Sequence, residues 1–280
     1  MIKPVNKEHI GEQAQMSDFR EAQIRILDKF TYICKENNLT YFLSGGTLLG
    51  AVRHKGYIPW DDDIDIMMPR PDLKKFIELT GGKIGEYTLC LPDENNPYPY
   101  SVYKVYDESF IIEDEEFSDG ATYLPLFIDV FPIEGLPLSE KESRRFIKRC
   151  SLKNILYKMT YHKGIYGSNT KAKIFHAVMM PYVKLMGRKR LAQSLNSYVQ
   201  KYDYYSSEYV GVVLTRALAY NERIERSGYM HSVNVEFEGN LYKAPKSYKQ
   251  YLTNLYGDYM QLPPADKQVS HHSFRIFRRK

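Results

Sequence analysis

Residues 44–68 read SGGTLLGAVRHKGYIPWDDDIDIMM, and the fold turns on how the acids in this stretch are spaced. Asp61-Asp62-Asp63-Ile64-Asp65-Ile66 has the two-residue period of a β-strand. That period sets Asp61, Asp63 and Asp65 on one face and turns Ile64 and Ile66 the other way, into a core. Three carboxylates on one side of a strand repel each other, and a cation among them relieves the repulsion. Hard oxygen donors of this kind suit Mg2+ or Mn2+. A solvated acidic turn would have no use for the alternating isoleucines. Upstream, Ser44-Gly45-Gly46-Thr47 reads as a tight turn into a short helix through Val52, and its glycines offer bare backbone N–H groups to a phosphate. Between turn and strand lie Arg53, His54 and Lys55, basic groups suited to phosphate oxygens, Arg as a planar fork and Lys as a point charge. The plainer reading of each is a surface charge, and Arg53 is the one favoured for a role.

Working outward, Phe19, Ala22, Ile26, Phe30 and Ile33 recur at helical spacing, which predicts an amphipathic helix over 17–36. A strand over 39–43 follows. Beyond the acidic strand, expected to run 63–68, Pro69 and Pro71 act as stops, and Asp72 is placed to cap a helix carrying Leu73, Phe76, Ile77 and Leu79. Further strands are expected near 87–91, 100–106 and 126–131. After Gly135 the pattern turns helical. Ser139-x-x-Glu142 is a capping box opening a basic helix, and helical periodicity continues over 171–205. A hairpin over 233–242, with Gly239-Asn240 at its tip, precedes a last helix ending at Tyr256-Gly257. The expected fold is α/β (α+β): a mixed sheet flanked by helices over 1–135 and a mainly helical part over 136–280, two units or one continuous domain.

Composition excludes several classes. A chain of 280 residues can bury a real core without staples. Its three cysteines, Cys34, Cys90 and Cys150, are far apart and form no C-x-x-C pair, which argues for reduced thiols and against structural zinc. The N-terminal segment has no apolar signal core, and the longest apolar run, 123–133, is broken by Asp129 and two prolines, so a cytoplasmic location is expected. The net charge of +5 is unevenly spread. Residues 141–200 hold fourteen Lys or Arg against one Glu, a segment charge of +13 that leaves −8 on the remainder. Such a segment is either a set of solvated helix faces or a surface for anionic lipid or an anionic substrate. No nucleic-acid-binding motif accompanies it.

Outside the first stretch, Leu126-Phe127-Ile128-Asp129-Val130-Phe131 carries a single carboxylate in an otherwise apolar strand, costly to bury without a partner. Lys104 in YSVYKVYD can reach a phosphate or simply face solvent. Asp258 reads as a residue just beyond a helix end. His271-His272 lack spaced partners and do not read as a metal site.

The run over 44–66 resembles the signature of the LicD family, bacterial phosphocholine transferases related to fukutin-type phosphotransferases and similar to the nucleotidyltransferase superfamily. Two later segments extend the resemblance, LFIDVFPIEG at 126–135 and LYGDYMQLPP at 255–264. It implies that Asp129 is the third acid, sharing a cation with Asp63, Asp65 and Asp61 and taking a proton from an incoming hydroxyl. Taken with the residue readings above, catalytic roles are expected for Asp63, Asp65, Asp129 and Arg53 and substrate contacts at Gly45, Gly46, Thr47, His54, Lys55 and Lys104, while the resemblance itself implies that Asp258 lies near the substrate. The implied reaction moves a phosphocholine-type group from a CDP-choline-like donor to a glycan hydroxyl, with Mg2+ or Mn2+ as cofactor. The same site would serve phosphoethanolamine, aminoethylphosphonate, polyol or sugar phosphate transfer, or nucleotidyl transfer with loss of pyrophosphate. A different class of reading is an inactive glycan- or nucleotide-binding module, which would not need all three acids. For a lipid-linked acceptor, the basic segment would rest on the anionic inner face of the membrane.

Overall fold

A computed structural model describes residues 5–114, 122–162, 164, 167, 169–214, 219–269 and 274–280. In chain order its strands and helices are β1 (Ile10–Gln13), α1 (Met16–Glu36), β2 (Phe42–Leu43), α2 (Gly45–His54), β3 (Asp65–Pro69), α3 (Arg70–Thr80), β4 (Lys83–Ile84), β5 (Tyr87–Cys90), β6 (Tyr103–Asp114) and β7 (Thr122–Leu136). They continue with α4 (Glu140–Lys158), α5 (Thr170–Val199), β8 (Tyr209–Val212), β9 (Ile224–Glu225), β10 (Ser232–Phe237), β11 (Asn240–Pro245), α6 (Tyr248–Tyr256) and β12 (Phe274–Arg279).

Among the described residues a ten-stranded mixed sheet runs β1-β12-β6-β7-β3-β2, with β5 and β4 carried on β6 and β8 and β9 on β7. Only β3 and β7 pair in parallel there, and their register sets Asp65 opposite Asp129. On the other side of β7, antiparallel β6 sets Lys104 opposite the same Asp129. Residue 135 lies within β7, and strands from beyond it, β8 and β12, return to this sheet.

The apolar pattern explains the layers. Helix α1 buries Phe19, Ala22, Ile26, Leu27, Phe30 and Cys34 along one stripe against the sheet. Ile64 and Ile66 are fully buried, as the two-residue period requires, and each contributes about 1.5–3 kcal/mol by leaving water. A second cluster, built from Phe146, Ile147 and Cys150 of α4 with Leu191, Leu195 and Val199 of α5, closes the helical layer.

Several expected elements shift. Strand β3 begins at Asp65 rather than 63, because Asp61 to Ile64 approach it as an irregular segment. Asp72 does not cap α3. Pro69 precedes the helix, and the Asp72 carboxylate instead accepts the Thr40 N–H at 3.0 Å. Ser139 does precede α4, but no side-chain capping bond forms there. The hairpin tip is Glu238-Gly239, both left-handed at φ 49° and 78°, one residue earlier than the Gly239-Asn240 expected. Helix α5 is broken at Gly187, where φ is 72° and ψ 162°. Among the described residues, no helix is long and apolar enough to cross a membrane.

Candidate active site

The irregular acidic segment is held from behind. Arg20 of α1 donates to the Asp61 carbonyl at 2.7 Å and to the Pro59 carbonyl at 3.3 Å. One turn on, the Gln23 amide donates to the carbonyls of Asp62 (3.2 Å) and Phe127 (3.3 Å), and its own oxygen accepts the Tyr57 hydroxyl at 2.9 Å. These bonds pair backbone carbonyls, that of Asp62 buried, which a strand would otherwise satisfy. They leave the side chains of Asp61 and Asp63, with that of Asp65, on the wall of a cleft of about 650 Å3.

The glycine turn packs against the same acids. The Ser44 N–H donates to the Asp65 carbonyl at 2.9 Å, and the Thr47 hydroxyl accepts the Asp65 N–H at 2.8 Å, so turn and strand lock each other. A side chain at Gly46 would bring its Cβ within 2.5 Å of Asp61 Oδ2, and Gly45 has a left-handed φ of 48° with Asp65 Oδ2 3.0 Å from the same test position. Glycine is therefore required twice, once for backbone conformation and once for space. Because α2 begins here, the positive end of its dipole faces the carboxylates and the cleft.

The turn is fixed from the far end of the chain. Tyr251 of α6 places its hydroxyl 3.0 Å from Ser44 Oγ, accepts the Gly45 N–H at 3.2 Å and meets Glu222 Oε2 at 3.2 Å. Tyr251 and Glu222 are both buried.

Asp129 shares the acids' face of the sheet. Its N–H donates to the Ile64 carbonyl at 2.8 Å, and its carboxylate receives the Lys104 ammonium at 2.5 Å. Lys104 is only 3% exposed and lies 3.4 Å from the Phe127 ring centre and 4.1 Å from that of Tyr100. Burial lowers its pKa, and the pairing with Asp129 works against that fall. Burial, then the charges of Asp63, Asp129 and Asp61, push the Asp65 carboxyl well above the usual carboxylate range. Asp61 is raised as well, by burial and then by Asp62.

The other candidates separate. Arg53 lines the cleft with its Nη1 donating to the carbonyls of Tyr259 (2.9 Å) and Gln261 (3.3 Å), and burial lowers its pKa. His54 does not line it. Its Nε2 accepts from Arg53 Nε at 2.9 Å, and burial followed by the Arg53 charge lowers the imidazole pKa. Lys55 is exposed at the left-handed end of α2, where its carbonyl accepts the Glu238 N–H, and it too is outside the lining. Asp258 lines the cleft, as do Trp60, Tyr256 and Tyr259. Lys104 pairs with Asp129 and Thr47 accepts the Asp65 N–H, and neither of them, nor Gly45 or Asp129, lines the cleft. His271 and His272 lie outside the described residues.

Acids carried by β3, β7 and the segment leading into β3, opposed to a glycine turn at a helix N-terminus, are an arrangement suited to phosphoryl transfer. The family described as LicD/FKTN/FKRP, nucleotidyltransferase domain, matches residues 38–143, which hold the turn, the acids and Lys104. Over 260 residues the chain is 30% identical to the lipopolysaccharide cholinephosphotransferase LicD of Haemophilus influenzae, spanning 90% of this chain and 95% of that protein. A 45-residue segment is 44% identical to the human ribitol 5-phosphate transferase FKRP, covering 16% of this chain and 9% of that protein. Another 99 residues are 34% identical to the uncharacterized protein RT0683 of Rickettsia typhi, 29% of this chain and 32% of that one. The chain belongs to the LicD family, and it is a phosphotransferase.

Proposed function

We propose that this phosphotransferase moves a phosphocholine-type group from a cytidine-diphosphate-linked donor to a hydroxyl of a cell-surface glycan. The observation that carries the reading is similarity to a cholinephosphotransferase over nearly the whole chain, in a protein whose cleft presents Asp61, Asp63 and Asp65.

Magnesium or manganese fits the donor set. Asp61, Asp62 and Asp63 each offer a carboxylate oxygen within 4.8 Å of the others, a set that gains Asp62 and does not include the expected Asp65, whose pKa is raised by burial and by its acidic neighbours, or Asp129, which Lys104 holds. Bound by these acids, the ion would supply charge screening for the donor diphosphate.

The chain's own groups do the rest. Gly46 opens the N-terminus of α2 to a phosphate oxygen. Arg53, its guanidinium fixed by two carbonyls, presents positive charge to the leaving phosphate. Asp129, oriented by Lys104, accepts the proton of the attacking hydroxyl. Trp60, Tyr256 and Tyr259 on the cleft wall offer aromatic faces to a quaternary ammonium.

The segment shared with a ribitol 5-phosphate transferase supports a second reading, transfer of a polyol phosphate from the same kind of donor. A thermal-shift series with cytidine, uridine and guanosine nucleotides, with CDP-choline and CDP-ribitol added, separates the readings when run with and without magnesium. A magnesium-dependent rise selective for cytidine and larger with CDP-choline is expected. A larger rise with CDP-ribitol would favour the polyol, and no selectivity for cytidine would contradict both.

A further inference from the structure

The outward face of the first half of α5 is apolar. Ile174, Val178, Pro181 and Leu185 follow each other at four-, three- and four-residue steps, one continuous stripe of a helix. They point to solvent: Ile174 is 59% exposed, Val178 68% and Leu185 79%. His176 and Val183, on the opposite side, are the buried residues of this half. A surface helix of a water-soluble domain turns a polar face outward, so a helix that is apolar on both sides asks for a second apolar environment. The helical break at Gly187 ends the stripe.

The surrounding charge says which environment. Lys171, Lys173 and Lys184 are exposed along the same half-helix. They belong to a stretch, residues 143–202, that contains fourteen Lys or Arg and no Asp or Glu. A second copy of the chain docked on this stripe would set lysines against lysines with no acid in the stretch to neutralise them. An anionic bilayer surface satisfies both features, taking the apolar side chains into its headgroup boundary and the ammonium groups onto its phosphates. Since no described helix can cross a membrane, the helix would lie in the plane of the surface.

We propose that the first half of α5 is a membrane-surface anchor for anionic lipid, with Ile174, Val178 and Leu185 as the inserting side chains. The proposal is independent of which headgroup the cleft transfers. It is tested by flotation of the full chain with vesicles of phosphatidylcholine alone and with added phosphatidylglycerol, at low and high salt. The Val178→Asp/Leu185→Asp double variant runs in parallel, with sedimentation of both proteins without lipid. Both positions are exposed and outside the cleft lining, so melting temperature and turnover of soluble substrates are expected to stay unchanged. The wild type should bind phosphatidylglycerol vesicles about tenfold or more tightly than neutral ones, lose affinity with salt, and lose about tenfold or more in the double variant. Absence of vesicle binding, equal binding by the double variant, or indifference to lipid charge would overturn the proposal. A lipid-free dimer that the double variant converts to monomer would also overturn it, and would assign the stripe to a second copy.

Discussion

Asp65 and Asp129 stand opposite each other in the parallel register of β3 and β7, although 64 positions separate them in the chain. Adjacent strands lie about 4.8 Å apart, so side chains on one face at matched positions are neighbours. Burial first, then the charges of Asp63 and Asp129, raise the Asp65 carboxyl. Sequence reading expected the meeting of these acids only through family resemblance, and the sheet supplies its geometry.

Asp63 and Asp129 should differ when each is changed to Asn. Asp63 lines the cleft and is no part of the apolar core, so Asp63→Asn should cut turnover roughly a thousandfold with the fold retained by circular dichroism. Asp129→Asn should cut turnover as far and also lower stability, by about 3 kcal/mol in denaturant titration, because it leaves the Lys104 charge buried without its anion.

Gly46→Ala tests the packing of turn against acid. The added Cβ would meet Asp61 Oδ2 at 2.5 Å, and the carboxylate must move. Turnover should fall about a hundredfold while the melting temperature changes little, since the displaced group is a side chain at the cleft wall.

Tyr251→Phe removes one hydroxyl that serves Ser44, Gly45 and Glu222 together. The expected loss is about 1–3 kcal/mol in unfolding free energy, with a raised KM for the donor because the glycine turn loses its brace. Unchanged stability and kinetics would remove Tyr251 from the account.

The thiols should be silent in the folded protein. Burial, followed by the charge of Glu134, pushes Cys150 up to about 12, and burial and Asp93 raise Cys90 to about 12 as well. Cys34 is raised too, by burial and then by Asp72. At neutral pH almost no thiolate is present, so Ellman's reagent should modify the three only after unfolding in guanidinium.

What was legible in the sequence is what local chemistry encodes. The acid–isoleucine alternation, the glycine turn and the stripe of α1 all follow from spacing within a few residues. Strand β7 was longer than expected because Pro125 and Pro132 look like stops. In the sheet, Pro125 sits opposite Ile111, just beyond a register shift, and Pro132 sits opposite Met68. The break at Gly187 was hidden because the buried positions, Val183 before it and Leu191 and Leu195 after it, keep helical spacing. Arg20, Gln23, Tyr251 and Glu222 could not be singled out, since their partners lie about 30 to 200 positions away and no short-range pattern marks a long-range hydrogen bond. His54 and Lys55 show the converse: adjacency to Arg53 suggested a shared role, but the end of α2 turns them away from the cleft lining.

The most direct measurement is release of CMP from CDP-choline in the presence of a glycan acceptor, followed for the wild type and Asp63→Asn with magnesium and with a chelator. The account predicts CMP release coupled to phosphocholine on the glycan, in the wild type with magnesium alone. Equal release by the variant, or release unaffected by the chelator, would contradict the acids as the seat of the chemistry.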